Sequence, residues 1–540
     1  MTRLKIPLLL LASWLIVAFG QSSWIPFFGP LAAAAGYALF WSAALSSKRP
    51  FLLAFLWFTG VQAVQISWMS ETEYMGPFIW VVYLGLSVAI GLQFALLTKL
   101  IEMGRPLSVM GCLGLAGAWV LLEWARILPC TGFLWNPAGL ALSATPLSLQ
   151  MASLVGIYGL SFWVVFVNLA ALRALFMRTR NAAILWGVAA LFPFAYGLAV
   201  RSDTSGSESL SALLLQPFLL PDERDLFPGR IERWVPPLSQ WDRILELVDS
   251  ERADLIILPE SSVPFPAFAA FYPLDLVETI WEQRFGNAAV LRDFPKLGGK
   301  DSELIQGQWR VSNAFWMQAI ANHYGSELIA GMEDADGERR FNAAFHFKPK
   351  ENKTERYEKR ILVPIGEYVP LKNWKGLSDW IGEQFGISDS FEPGGEPKLF
   401  TGLVPMGISI CMEETYSGII QESCKRGAKL LVNLTNDGWF PRSKLARQHF
   451  DHGVIRAVEN GVPVLRACCT GVTGAVDCFG RILAQSRTDG ADALFVRVPL
   501  KSERTPYSFW GERGILILSC LFVLVGFALA RNKESRLTFS

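Results

Sequence analysis

Acidic side chains are almost missing from the first 200 residues, which hold only Glu71, Glu73, Glu102 and Glu123. Over the whole chain charged residues make up 18%, against about 25% in ordinary soluble proteins. This shortage excludes a disordered chain, which needs high charge and few apolar residues, and does not fit a plain soluble enzyme. Net charge is missing too. The 49 Lys+Arg and 48 Asp+Glu leave +1, so no whole-chain field grips nucleic acid and no such partner is expected. Histidine is scarce, with four in the chain. The one close pair, His449 and His452, has no evident third ligand; it reads as ordinary helix surface, and no metal is expected. There is no Gly-rich nucleotide loop and no convincing Gly-x-Ser-x-Gly elbow, so no cofactor is expected either.

What the chain has in plenty is apolar sequence: 51% of its 540 residues. Runs of roughly 17–25 apolar residues can cross a bilayer. They occur at about 6–22, 24–45, 51–69, 77–98, 107–127, 148–172 and 181–200, and again at 514–531. This predicts an α-helical membrane bundle of about eight spans: seven in 1–203, a globular domain over 204–505, and a final span with a short tail in 506–540. Arg3, Lys5 and Ala18-Phe19-Gly20 would also suit a cleavable signal peptide, but more apolar sequence follows at once.

Lys and Arg in the short loops set orientation. One set of ends holds Arg3, Lys5, Lys48, Arg49, Lys99, Arg105, Arg173, Arg178, Arg180, Arg531, Lys533 and Arg536; the opposite short loops hold Arg126. Arg201, Lys501, Arg504 and Arg513 flank the large domain on that opposite side without changing the sign. With eight spans both termini are cytoplasmic and residues 204–505 lie outside, which in a two-membrane bacterium is the periplasm. Five of the eight cysteines fall there: Cys411, Cys424, Cys468, Cys469 and Cys478. An odd number cannot all pair within the domain, so unless Cys130 takes one, at least one thiol is free.

Residues 204–505 alternate short apolar runs with helical patterns. The runs lie at 211–217, 253–259, 327–331, 342–347, 406–412, 428–434, 462–467, 475–478 and 493–498, with helices at 241–250, 315–323 and 443–460. An α/β layered fold with a mixed sheet or two stacked sheets is expected. Three short segments carry chemistry. Glu260 closes the run Leu255-Ile256-Ile257-Leu258, at a strand end where α/β folds form clefts. Lys359 stands in Tyr357-Glu358-Lys359-Arg360, eight residues before Glu367. Cys411 ends the strand Gly407-Ile408-Ser409-Ile410. A thiol is mostly protonated at neutral pH and needs a base and a cation to act as a nucleophile. Glu260 and Lys359 are the candidates for base and oxyanion-stabilising cation.

Glu260, Lys359 and Cys411 in this order resemble the Glu-Lys-Cys set of the nitrilase superfamily, which implies an αββα sandwich. Phe341-Asn342, Asn433-Leu434-Thr435-Asn436-Asp437-Gly438-Trp439-Phe440, Arg456-Ala457 with Glu459-Asn460, Arg466 and Gly471-Val472-Thr473 resemble further segments of that superfamily. The membrane half narrows the resemblance. Glu123-Trp124 with Arg126, Thr131-Gly132-Phe133, Trp135-Asn136 and Gly156-Ile157-Tyr158-Gly159 with Ser161-Phe162 are similar to motifs of the apolipoprotein N-acyltransferase family.

The resemblance implies transfer of a fatty acyl chain from a membrane phospholipid to the N-terminal amino group of a diacylated apolipoprotein, through a thioester on Cys411, by a multi-pass protein of the bacterial inner membrane. It also implies supporting roles for Glu367 and Glu413, either in direct contact with the reaction or as residues that orient Lys359 and backbone amides. Two other readings stay open: a membrane-tethered amidase of the same superfamily, with water as acceptor, and a transporter or receptor with an inactive sensor domain. The chain departs from the pattern at Met412, where the family usually has Tyr, at Cys468-Cys469-Thr470, and in an extra apolar block at about 264–325; Trp234 does not align securely with the family's tryptophan upstream of the base. Within that block, 264–273 reads either as core or as a mobile aromatic lid.

Overall fold

The computed structural model describes residues 5–104, 107–129, 132–200, 203, 206–227, 229–293, 297–385, 390–487 and 489–537. Arg3, Arg105, Cys130, Thr131 and Arg201 of the sequence reading lie outside the described residues.

Among the described residues, five helices are long and apolar enough to cross a membrane: Ile79–Met103, Val109–Ile127, Ala152–Met177, Arg180–Val200 and Pro506–Gly526. The first three predicted spans are shorter helices, Ile6–Ala18, Phe28–Ala44 and Pro50–Gln65. At 1.5 Å per residue the 16 residues of the last reach about 24 Å, short of a hydrocarbon core of about 30 Å. Local sequence explains the shortening. Pro50 starts its helix and a 3-10 turn at Ser67–Ser70 follows its end, while the second run contains a π-turn at Ala32–Gly36. Asn168 satisfies that turn, accepting from Tyr37 N and Ala38 N and donating to Ala32 O and Ala33 O. Stacked rings of Phe40, Trp41, Trp57, Phe58 and Phe94 fill the centre of the bundle.

The globular part has fifteen described strands: β1 (Ser209–Gln216), β2 (Leu255–Ile257), β3 (Tyr272–Pro273), β4 (Ser302–Ile305), β5 (Gln308–Val311), β6 (Glu327–Asp336), β7 (Arg339–Phe347), β8 (Glu355–Glu358), β9 (Leu399–Thr401), β10 (Pro405–Ile410), β11 (Leu430–Thr435), β12 (Val464–Cys468), β13 (Gly474–Val476), β14 (Ile482–Gln485) and β15 (Asp492–Pro499). Two six-stranded sheets, ordered β15-β1-β2-β6-β7-β8 and β14-β13-β12-β11-β10-β9, stack face to face. Leu214, Ile257 and Ile329 of one interleave with Ile408, Val432 and Leu465 of the other. Helices Pro237–Val248 and Asn313–Tyr324 cover the first sheet, where Trp241 stacks on Trp316. Ser417–Lys425 and Leu445–Asn460 cover the second. This is the expected αββα sandwich. Short β3, β4, β5, β8, β9 and β14 carry too few residues to show a pattern in sequence.

Segment 264–273 is pinned rather than free. Ala267 N donates to Glu333 O at 2.7 Å, Ala267 O accepts from Ala314 N, and Asn313 donates to the carbonyls of Pro264 and Phe265. Phe268 packs on Phe345 of β7, while Phe271 is exposed and stacks on Phe265. The segment is therefore a surface strap with Tyr272 in the core and Phe265 and Phe268 half-buried against it, because its backbone bonds hold it against β6.

The two parts meet along helix Leu445–Asn460. Helix Ala152–Met177 breaks at Gly156 (φ 67°), where a Cβ would lie 2.3 Å from the Tyr507 ring. Beyond the break Ile157 N donates to Glu459 at 2.7 Å. Tyr74 donates to Asp222, Trp135 Nε1 to Gln448, Gln448 to Gln65 O, and Gln150 to Phe479 O. His449 and His452 lie inside this junction, 1% exposed each. The sequence predicts helix surface for them; the bundle covers that face instead.

Candidate active site

Glu260 follows β2 by way of Leu258-Pro259. Gly331 of β6 allows this close approach: a Cβ there would sit 2.6 Å from the Glu260 Cα. Lys359 follows β8, its amide held by Asn342 O of β7 at 2.8 Å. The three side chains interlock. Lys359 Nζ lies 3.0 Å from Glu260 Oε1 and 2.8 Å from Glu367 Oε1, and Asn342 Nδ2 donates to the same two oxygens at 2.7 Å each. Glu367 Oε2 accepts from Val363 N at 2.8 Å, which fixes the loop that carries it. Burial by itself would lower the Lys359 ammonium, but the Glu260 and Glu367 carboxylates outweigh it and hold Lys359 well above the ordinary lysine range. Two carboxylates around one ammonium leave an excess negative charge in a buried pocket.

Cys411 sits where β10 gives way to the 3-10 turn Cys411–Thr415. Its φ of 52° is left-handed, a conformation rare for a residue with a side chain and one that stores strain at functional sites. Burial pushes the Cys411 thiol up, and the Glu260 carboxylate pushes it further, against the pull of Lys359. Glu413 explains how the turn is held. It is fully buried and accepts from Ile410 N, Arg360 N, Ile361 N and the Tyr357 hydroxyl at 2.8, 2.6, 3.2 and 2.9 Å. One carboxylate thus ties the end of β10 to the segment that carries Lys359. Glu367 orients Lys359 and Glu413 orients backbone amides.

The comparisons with known proteins meet at this geometry. Residues 235–505 match the carbon-nitrogen hydrolase family, and residues 17–170 match the apolipoprotein N-acyltransferase N-terminal domain. An apolipoprotein N-acyltransferase of Chlamydia caviae is 31% identical, covering 97% of this chain and 98% of its own. The chain belongs to the apolipoprotein N-acyltransferase family. A relative of the same description from Geobacter metallireducens is 27% identical over 91% of this chain and 87% of its own. Among solved structures, an amidase from Nesterenkonia covers 55% of this chain and 92% of its own at 17% identity, with a TM-score of 0.33.

For a member of this family the site holds several residues to which the sequence alone gave no role. Asn342 stands in the quoted Phe341-Asn342 pair, but only the pairing of β6 with β7 and β8 sets it between two carboxylates. Around the Cys411 carbonyl, Asn433 Nδ2 donates at 3.3 Å and His449 Nε2 lies at 3.1 Å. Asp437, Arg466 and Glu414 form a buried ion-pair cluster behind them. Asp437 is held down to about 2: burial would raise it, and Arg466 and His449 reverse that. Residues hundreds of positions apart carry no mutual signal in a single sequence. Met412, next to Cys411, lies in the same turn.

Proposed function

We propose that this chain carries out the reaction its family is named for: it transfers a fatty acyl chain from a membrane phospholipid to the N-terminal amine of a diacylated apolipoprotein. Glu260 accepts the Cys411 thiol proton as Sγ attacks the phospholipid ester carbon. The oxyanion forms beside Lys359, which is already charged and positioned by Glu260 and Glu367. Collapse breaks the ester C–O bond, Glu260 returns the proton to the departing lysophospholipid oxygen, and a thioester remains. The acceptor amine attacks that thioester and gives a proton to Glu260. The C–S bond breaks, and the amide product leaves as Cys411 regains its proton.

The observation that carries this reading is the left-handed Cys411 beside the linked Glu260, Lys359 and Glu367, on a domain bonded directly to apolar helices. A lipid donor is further supported by helix Lys375–Phe385. It exposes Leu377 and Trp380, with Trp374 just before it, and Trp380 meets Phe78 at the head of helix Ile79–Met103 edge-on at 5.7 Å. Aromatic rings favour the interfacial zone of a bilayer. In this reading residues 1–203 and 506–540 supply eight spans of the inner membrane, the three short helices included, and 204–505 face the periplasm.

The test is the intact mass of the full-length protein in detergent after exposure to phospholipid alone. One added acyl group is expected, released by a diacylated lipopeptide as an N-acylated product. Release to water alone would favour the amidase reading. Cys411→Ala and Cys411→Ser should give no acyl-enzyme competent for transfer, whereas Cys424→Ala, whose half-buried thiol is pushed up to about 12, should keep most activity. Full transfer by Cys411→Ala would falsify the assignment.

A further inference from the structure

His449 has no part in the three-residue set, yet it touches the nucleophile's own peptide. Its Nε2 is 3.1 Å from Cys411 O and its Nδ1 is 2.8 Å from Asp437 Oδ1. A backbone carbonyl can only accept. Asp437 is held ionised by Arg466, 3.3 Å away, so it also only accepts. Both ring nitrogens must then be N–H donors, and a ring with both protons is an imidazolium.

The neighbourhood fits a cation. From the turn after Cys411, Glu414 Oε2 stands 3.9 Å from His449 Nε2. Arg466 of β12 pairs with both acids, Glu414 and Asp437; burial raises the Glu414 carboxyl against the pull of Arg466, so Asp437 is the firmly charged acid that faces His449. From the helical bundle, the Trp135 ring lies against the imidazole with centroids 5.1 Å apart, within the distance at which an aromatic ring attracts a cation. His452, one turn further along the same helix, is the contrast. Burial and the charge of Arg456 push it down to about 3, so it is neutral. Its Nε2 donates to Trp135 O at 2.9 Å and its Nδ1 has no partner among the described residues.

We infer that His449 is a positioning residue for acyl transfer: an imidazolium clamped between Asp437 and the Cys411 carbonyl, and covered by Trp135 of the helical bundle, that fixes the strained nucleophile and polarises its peptide. The Cys411–Met412 peptide carries the carbonyl that His449 grips and, at its other end, the Met412 N–H. That N–H is among the first of the 3-10 turn, where helical N–H groups have no acceptor within the helix. A cation on the carbonyl makes the amide a stronger donor, adjacent in sequence to the thiol where the oxyanion develops. His449 thereby works through Cys411, and Trp135 links the bundle to the nucleophile.

The inference rests on the proposed acyl transfer for its kinetic test but has a spectroscopic test of its own. In full-length protein labelled with nitrogen-15 histidine, the His449 ring at neutral pH should show two protonated nitrogens, assigned by the loss of its signal in His449→Gln. A singly protonated ring overturns the inference. In single-turnover acylation by phospholipid, His449→Gln keeps a donor but loses the charge. It should slow thioester formation on the order of 10²-fold, as removal of an oxyanion-stabilising donor does, with the apparent KM and Tm little changed. An unchanged rate, or a loss confined to KM or Tm, overturns it. In His449→Ala, added imidazole should restore acylation in proportion to its protonated fraction; a folded variant that imidazole leaves inactive counts against the inference, and if the variant does not fold, His449→Gln decides. Trp135→Leu should slow acylation more than Trp135→Phe, and equal losses remove Trp135 from the clamp. Wild-type protein that forms no thioester contradicts the proposed function instead, and the nitrogen spectrum then decides for His449.

Discussion

At the residue scale the site is organised by charge excess. Glu260 and Glu367 share one ammonium and one amide, so the resting pocket favours the neutral Cys411 thiol until a substrate carbonyl accepts the developing charge. The sign of this effect can be tested. Burial and Glu260 raise the thiol and Lys359 lowers it, so Glu260→Gln removes a raising influence. Cys411 in that variant should react faster with iodoacetamide at neutral pH than in the wild type, while acyl transfer is lost for want of a base. Slower alkylation would mean that Glu260 acts on Cys411 by something other than its charge. Asn342 is neutral and donates to both carboxylates, so Asn342→Leu leaves two buried acceptors short of a partner. That costs roughly 1–3 kcal/mol, measurable as a lower Tm together with a lower acylation rate; a variant with both unchanged would show that water replaces the amide.

At the scale of elements, two features locate the catalytic sandwich. In the strap at 264–273 Phe268 is half-buried against the core and Phe271 is exposed. Phe268→Ser should lower stability, by less than the roughly 3–5 kcal/mol of a fully buried phenylalanine, and Phe271→Ser should leave melting nearly unchanged. Equal losses would show that Phe271 packs in solution. The other feature is the contact of helix Leu445–Asn460 with the broken helix Ala152–Met177 through Glu459 and Ile157 N. Burial raises the Glu459 carboxyl to about 7, with Arg456 opposing. A carboxyl raised in the folded state favours its protonated form there, so its contribution is complete below the ordinary glutamate range and is lost as pH rises through about 7. Tm should fall over that window, and Glu459→Gln, neutral and still able to accept from Ile157 N, should flatten the fall. A variant with the wild-type slope would assign the pH dependence elsewhere.

At the scale of the whole molecule, topology is the decisive property, because in the proposed reaction acceptor and donor must reach one site from a membrane surface. The twelve-to-one bias of Lys and Arg in the short loops predicts that alkaline phosphatase fused after Lys300 is active and that a fusion after Ser540 is not. The reverse pattern would overturn the periplasmic placement. The short helices Ile6–Ala18, Phe28–Ala44 and Pro50–Gln65 make this measurement more than a formality, since with the N-terminus cytoplasmic the loss of one of these spans would exchange the outcomes of the two fusions.

The sequence by itself determined what depends on local pattern and chain order. Apolar runs, strand periodicity and the segments around Glu260, Lys359 and Cys411 could be read directly, because a strand that ends in a Glu or a Cys needs only its own neighbours to be recognised. The nine apolar runs of the globular part coincide with β1, β2, β6, β7, β10, β11, β12, β13 and β15. Tertiary structure decided what depends on distant packing. The fate of His449 and His452 turned on a bundle that covers their helix, and helical periodicity cannot say what lies against a face. The split between Phe268 and Phe271 turned on backbone bonds to β6 and to helix Asn313–Tyr324. The place of Asn342 between two carboxylates, and of Trp135 against His449, required side chains from segments 25 to more than 300 residues apart to converge, and no local pattern encodes such a meeting.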